Sequence, residues 1–121
     1  MARGKFVRAY NCQETEEGRF ILSAKEQINK MFKGPLEVYM RFFMPRPKNH
    51  YGTGKNSGKL KASAPEYHIS TPDCDNMEKF VSDCLNGLAW EDDKQIVKSI
   101  SEKIYSENPR TEIVIKEKGD L

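Results

Sequence analysis

The chain is poor in the residues that build closed metal or disulfide centres. It has two histidines and three cysteines, Cys12, Cys74 and Cys84, with no C-x-x-C pair. That argues against a zinc site, and with an odd number of thiols against a disulfide framework. Cys84 reads as a small core residue. Long apolar runs are also missing. Stretches such as Phe42–Met44 and Ile113–Ile115 fall far short of the ~20 residues of a membrane helix, and the first residues, Met1–Phe6, carry no apolar leader. The expectation is a protein without membrane contact, in the cytoplasm of a bacterial or phage-infected cell. With 121 residues the chain supports one core, so residues 1–121 are read as a single domain.

Net charge is small too, at +2, but its distribution is not even. Residues 1–61 hold 13 Lys and Arg against 5 Asp and Glu, whereas residues 62–121 hold 7 against 13. A phosphate-binding surface beside an acidic site would produce such an asymmetry.

Several elements can be read from periodicity. Ser23 and Glu26 have capping-box spacing, Ala24, Ile28, Met31 and Phe32 share a helical face, and Gly34-Pro35 ends the run, which predicts a helix over Ser23–Lys33. Leu36, Val38, Met40, Phe42 and Met44 alternate strictly with other residues, the signature of a strand with one apolar face. Met77, Phe80, Val81, Cys84, Leu85 and Leu88 recur at helical spacing and predict a second helix from about Asn76 to Asn86. Thr111–Lys116 reads as a strand after the turn Glu107-Asn108-Pro109. Lys94–Tyr105 stays unassigned by pattern, and Met1–Leu22 offers a possible strand at Lys5–Tyr10, an acidic turn at Glu14–Gly18 and an apolar piece at Phe20–Leu22.

From Pro45 to Pro65 the chain turns to Pro, Gly, Ser, Asn and Lys, with no acidic residue between Pro45 and Ala64. This is expected to be a long, mobile basic loop. Arg46, Lys48, Lys55, Lys59 and Lys61 supply cations and His50 a further polar group, a set suited to nucleic-acid phosphates; a solvated linker is the bland alternative.

The chemistry concentrates in two acidic segments around the second helix. Asp73 and Asp75 precede it and Asp92 and Asp93 follow it, with Asp75 expected at or near its N-cap, where the helix dipole favours negative charge. Asp75, Lys79 and Asp83 recur every four residues, which sets Lys79 beside the carboxylates. Close carboxylates repel unless a cation lies between them, and hard oxygen donors suit Mg²⁺ or Mn²⁺. Each residue also has an ordinary role available: cap, solvated turn or salt bridge. An EF-hand loop starting at Asp73 fails at Met77, Glu78 and Cys84. A dehalogenase-type phosphatase fails because Tyr67–Pro72 is not a buried apolar strand.

These segments resemble the RusA family of Holliday-junction resolvases. The pattern P-D-x-D-N-x-x-K-x-x-x-D-x-L-N-G is met by Pro72–Gly87 and W-x-D-D-x-Q by Trp90–Gln95; Phe43–Lys55 and Pro109–Ile113 also resemble phage-type members. The resemblance implies an α/β (α+β) fold, a small mixed sheet with two main helices. It also implies that Asp73, Asp75 and Asp93 are catalytic metal ligands with Asp92 beside them, that Lys79 is catalytically required, and that Mg²⁺ is used, with Mn²⁺ as a substitute. A homodimer acting on four-way-junction or other branched DNA follows from it, as does a hairpin of Lys94–Tyr105 with the last strand. Tyr39, Phe43, Trp90 and the last strand are candidate dimer surface. A non-catalytic, structure-specific DNA-binding protein with a vestigial metal site is the alternative.

Overall fold

The computed structural model describes residues 23–119 and the backbone of Val7–Cys12. The expected turn at Glu14–Gly18 and the apolar piece Phe20–Leu22 lie outside the described residues. A four-stranded mixed sheet forms from β1 (Val7–Cys12), β2 (Leu36–Pro45), β3 (Ile96–Ser106) and β4 (Arg110–Glu117), in the spatial order β1-β4-β2-β3. One helix, α1 (Cys74–Leu85), packs against it, and residues 23–27 form a short helical segment.

β2 is the central strand because its even positions are apolar. Val38, Met40 and Phe42 are buried toward α1, where they meet Val81, Cys84 and Leu85 of the helix and Ile113 and Ile115 of β4. Its odd positions, Glu37, Tyr39, Arg41 and Phe43, therefore face the opposite side of the sheet. β4 runs antiparallel to β2 on one side, and β3 runs parallel to it on the other.

That order corrects the expected hairpin of β3 with β4, because β2 lies between them. The link Glu107–Pro109 still suffices: four Cα steps reach about 14 Å, enough for the roughly 10 Å of two strand spacings.

Two helix boundaries differ from the periodicity. The first helical segment ends at Gln27, not Lys33, because Phe32 leaves to donate its N–H to the Ala89 carbonyl (2.7 Å) and to bridge Trp90. Ser23 is itself helical, so it is not the N-cap. α1 starts at Cys74, two residues before the expected Asn76, which makes Asp73 its N-cap and places Asp75 in its first turn. Trp90 is fully buried, its indole N–H donating to Asn86 Oδ1 at 2.7 Å, so it belongs to the core and cannot serve as interface.

Candidate functional site

At the N-terminal end of α1, Asp73 is extended (φ −73°, ψ 156°) and its carbonyl accepts the Met77 N–H at 3.1 Å. Its carboxylate caps no helical N–H, and both Asp73 and Asp75 are exposed at the positive end of the helix dipole. Asp75 Oδ1 accepts the Asn76 N–H at 3.1 Å. Lys79, one turn along, is exposed as well.

The approach to Asp73 is held by a residue that sequence reasoning passed over. Lys103 stands opposite Phe42 in β3, on the helix side of the sheet, and its Nζ donates to the carbonyls of Ser70 and Pro72, both at 2.7 Å. The available signal was a lysine at a strand position whose neighbour is core. Ser99 and Ser101, also on that side, bond to Glu78 of α1, so β3 grips the helix by polar contacts. His68 packs edge-on to Tyr105, and its N–H donates to the Lys103 carbonyl at 3.3 Å. Its Nδ1 is buried without a partner, and desolvation, then the Lys103 charge, push its pKa below the ordinary 6.5.

The second acidic pair sits past the other end of α1. Asp92 caps a 3₁₀ turn, Asp93–Gln95, by accepting the Lys94 N–H at 2.9 Å; that bond, ahead of desolvation, holds its carboxyl below the usual value. Gln95 closes the turn. Its Oε1 accepts the N–H groups of Glu91 and Asp92, and its Nε2 donates to the carbonyls of Phe32 and Gly34. The Gln of W-x-D-D-x-Q therefore ties this turn to the start of β2. Asp92 fills the capping role, and Asp93 stays exposed.

Within one chain the pairs are not brought together. Asp73, Asp75 and Lys79 share one end; Asp92 and Asp93 lie beyond the other end of a 12-residue helix, which is about 18 Å long. Among the described residues no three His, Cys, Asp or Glu side chains are close enough to hold one metal ion. A cavity of about 520 Å³ opens beside Pro72, but Phe42, Met44, Met77 and Phe80 give it apolar walls that offer a cation nothing.

The basic segment has its own architecture. Two 3₁₀ turns, Lys48–His50 and Gly54–Asn56, are closed by a Tyr51–Leu60 bridge and by Lys61 N–H donating to the His50 carbonyl (2.9 Å). Gly52 is required there, since a Cβ would lie 2.8 Å from the Asn56 carbonyl oxygen. Arg46 is engaged internally: Nη1 donates to the Pro65 carbonyl (2.7 Å), touches His50 Nδ1 (3.3 Å), and its guanidinium stacks over Tyr105. His50 also packs against Tyr105. Lys48, Lys55, Lys59 and Lys61 are exposed. The segment thus divides into an anchoring pair and four presented ammonium groups.

The domain thus carries exposed carboxylates at a helix N-terminus, a lysine one turn away and a separate cationic segment on one small α/β sheet. The chain belongs to a known family: it matches endodeoxyribonuclease RusA over residues 8–116, nearly its whole length. This is a nuclease family. The chain is also 33% identical over 100 residues to the uncharacterized protein YqaN of Bacillus subtilis (strain 168), covering 80% of this chain and 68% of that protein. No helix among the described residues is long and apolar enough to cross a membrane.

Proposed function

We propose that the protein is a Mg²⁺-dependent endonuclease that resolves four-way-junction or other branched DNA by paired nicking during recombination and repair, acting as a homodimer. The observation that carries this reading is the exposed Asp73-x-Asp75 pair at the positive end of α1 with Lys79 one turn on, in a chain of the RusA family. Asp73, Asp75 and Asp93 offer the hard oxygen donors that Mg²⁺ or Mn²⁺ takes, with Asp92 fixing the turn that presents Asp93. The bound ion would supply water activation and charge stabilisation. Lys79 neutralises the scissile phosphate, Lys48, Lys55, Lys59 and Lys61 hold the backbone, and Arg46 and His50 keep the arm in shape.

Because the two acidic pairs of one chain are a helix length apart, an ion using both would draw them from two chains. A C₂ dimer supplies that arrangement twice, one site for each of the two cuts. The separation within one chain also favours the second reading, a non-catalytic binder of branched DNA. The deciding experiment is incubation with a synthetic four-way junction, with and without Mg²⁺. Symmetric paired nicks that vanish with chelator support the endonuclease; tight junction binding with no cleavage in Mg²⁺ or Mn²⁺ replaces it with the binder.

A further inference from the structure

β3 forms one edge of the sheet and has 11 residues. Its outward hydrogen-bonding groups come from odd positions: the Lys103 carbonyl accepts from His68, and Tyr105 N–H donates to the Glu66 carbonyl. Residues 66–68 therefore cover this edge only beyond residue 102. From Val97 to Ser101 no described residue pairs with it, and Val97 and Ile100 are 60% and 47% exposed. Edges left open in monomers are blunted by brevity, proline, a bulge or charged side chains. β3 is long and has no proline, its register shift lies at its very start, and the charges on its open stretch, Lys98 and Glu102, are of opposite sign and so can pair with a second copy.

We infer that the open edge docks a second copy of the chain by antiparallel pairing of β3 with β3 about a two-fold axis at Ile100, making one eight-stranded sheet. The inference rests on the dimeric reading above and specifies its interface. The register follows from the side chains. With Ile100 opposite the partner's Ile100, Ser99 faces the partner's Ser101, and both are positions whose N–H and C=O point outward, so the two symmetric pairs form closed hydrogen-bonded rings. On the face away from α1, Lys98 then lies opposite the partner's Glu102, and Glu102 opposite the partner's Lys98. Moving the centre to residue 101 sets Lys98 and Glu102 against Ile104 and Ile100, moving it to residue 99 sets Lys98 against Ile100, and moving it by two in either direction sets like charges together at one of them. In the single chain Glu102 already bonds Arg41 (2.9 Å) and Lys98 lies 3.7 Å from Glu37. The pairing would extend these into a continuous row of alternating charge, Arg41–Glu102 to the partner's Lys98–Glu37 pair. Opposite charges facing across strands are favourable and like charges unfavourable.

The antiparallel sense has a consequence for the site. Asp92 and Asp93 precede the start of β3, and the start of β3 meets the partner's β3 near residue 104, where the partner's Lys103 holds the approach to the partner's Asp73. The two acidic pairs that one chain keeps apart are thereby directed to the same end of the interface.

The test uses the full chain. Sedimentation equilibrium at micromolar concentration should give twice the 13.9 kDa chain mass. Lys98→Glu and Glu102→Lys should each weaken the dimer at least about tenfold, on the scale of two repulsive cross-strand pairs. A mixture of the two variants should dimerise more tightly than either alone, because the heterodimer sets a negative strand face against a positive one while the contacts of each chain to its own Glu37 and Arg41 stay the same as in the separate variants. In a Cys12→Ser, Cys74→Ser background, Ile100→Cys should form a disulfide-linked dimer on mild oxidation, since facing residues at such a position bring their Cβ atoms within bridging reach. A monomeric wild type, a dimer indifferent to both single changes, or failure of the mixture and of the cross-link would overturn the interface. Junction cleavage is scored separately, on the unsubstituted chain: a dimer that never cleaves in Mg²⁺ or Mn²⁺ removes the nuclease reading and leaves the interface, whereas a cleaving dimer that ignores Lys98→Glu does the reverse.

Discussion

The two ends of α1 carry the same chemistry, a pair of aspartates, but hold it in opposite ways. At the N-terminal end the carboxylates are exposed, Asp75 bonding only its neighbour's N–H, and the backbone behind them is held by one charge, the Lys103 ammonium on two carbonyls. At the C-terminal end a neutral amide, Gln95, ties four backbone groups together, and Asp92 is bound into the turn it caps. One end is tethered by a single charge, and the other is bracketed by a neutral side chain.

The comparison can be broken most severely at the carboxylates. Asp73→Asn, Asp75→Asn and Asp93→Asn are each expected to lower junction cleavage by at least about 10²-fold, the scale of losing one charge contact to the transition state, while junction binding is unchanged or tighter. Asp92→Asn should be milder than Asp93→Asn, because asparagine retains the cap. Cleavage and gel-shift titrations in parallel check this; binding lost together with cleavage would make the residues structural.

Lys103→Met should come next. It keeps the stem but frees Ser70 and Pro72, so the fold stays and Asp73 drifts; a displacement near 1 Å can reduce a rate by about 10²-fold. Single-turnover cleavage at saturating enzyme, with the melting temperature as control, measures it. Wild-type rates would show that Asp73 is placed by α1 alone. Gln95→Ala acts at the bracket and should appear mainly as lost stability, about 0.5–1.5 kcal/mol because only the bond to the Phe32 carbonyl is part-buried and the others are exposed, read from urea unfolding.

How much of this was visible in the sequence follows from where each residue's partners lie. β2 and α1 were legible because one face of each is uniformly apolar, so period and burial agree. β3 was not, because its helix-facing positions, Ser99, Ser101 and Lys103, are polar and satisfied by Glu78 and by carbonyls, while Ile100 and Ile104 occupy the other face. Its place beside β2 and away from β4 depends on pairing across 60 residues, which no local pattern encodes. The aspartates were legible as a motif. That Lys103 holds the Ser70 and Pro72 carbonyls depends on contacts from another element, and the separation of the two pairs on the length of the helix between them.

The smallest expected effect sharpens the comparison through pH. His68 lies behind the Lys103 tether, and burial and the Lys103 charge keep its folded pKa below 6.5, the value it regains on unfolding. Between those two values the unfolded chain binds a proton that the folded chain refuses. The contribution of His68 to stability is therefore complete above 6.5 and is lost as the pH falls through this window. Asp92 behaves differently: its folded pKa lies below the usual 3.8, so its contribution persists until the pH falls below that value. Mild acid should thus loosen the Asp73 end while the Asp92 end holds. Backbone amide exchange at pH 5.5 and 7.5, corrected for intrinsic rates, should show protection falling around residues 68–73 and 103–105 but not around 91–95. His68→Asn should remove the difference. Equal loss at both ends, or a difference that survives the substitution, would show that the tether is not held by the neutral imidazole.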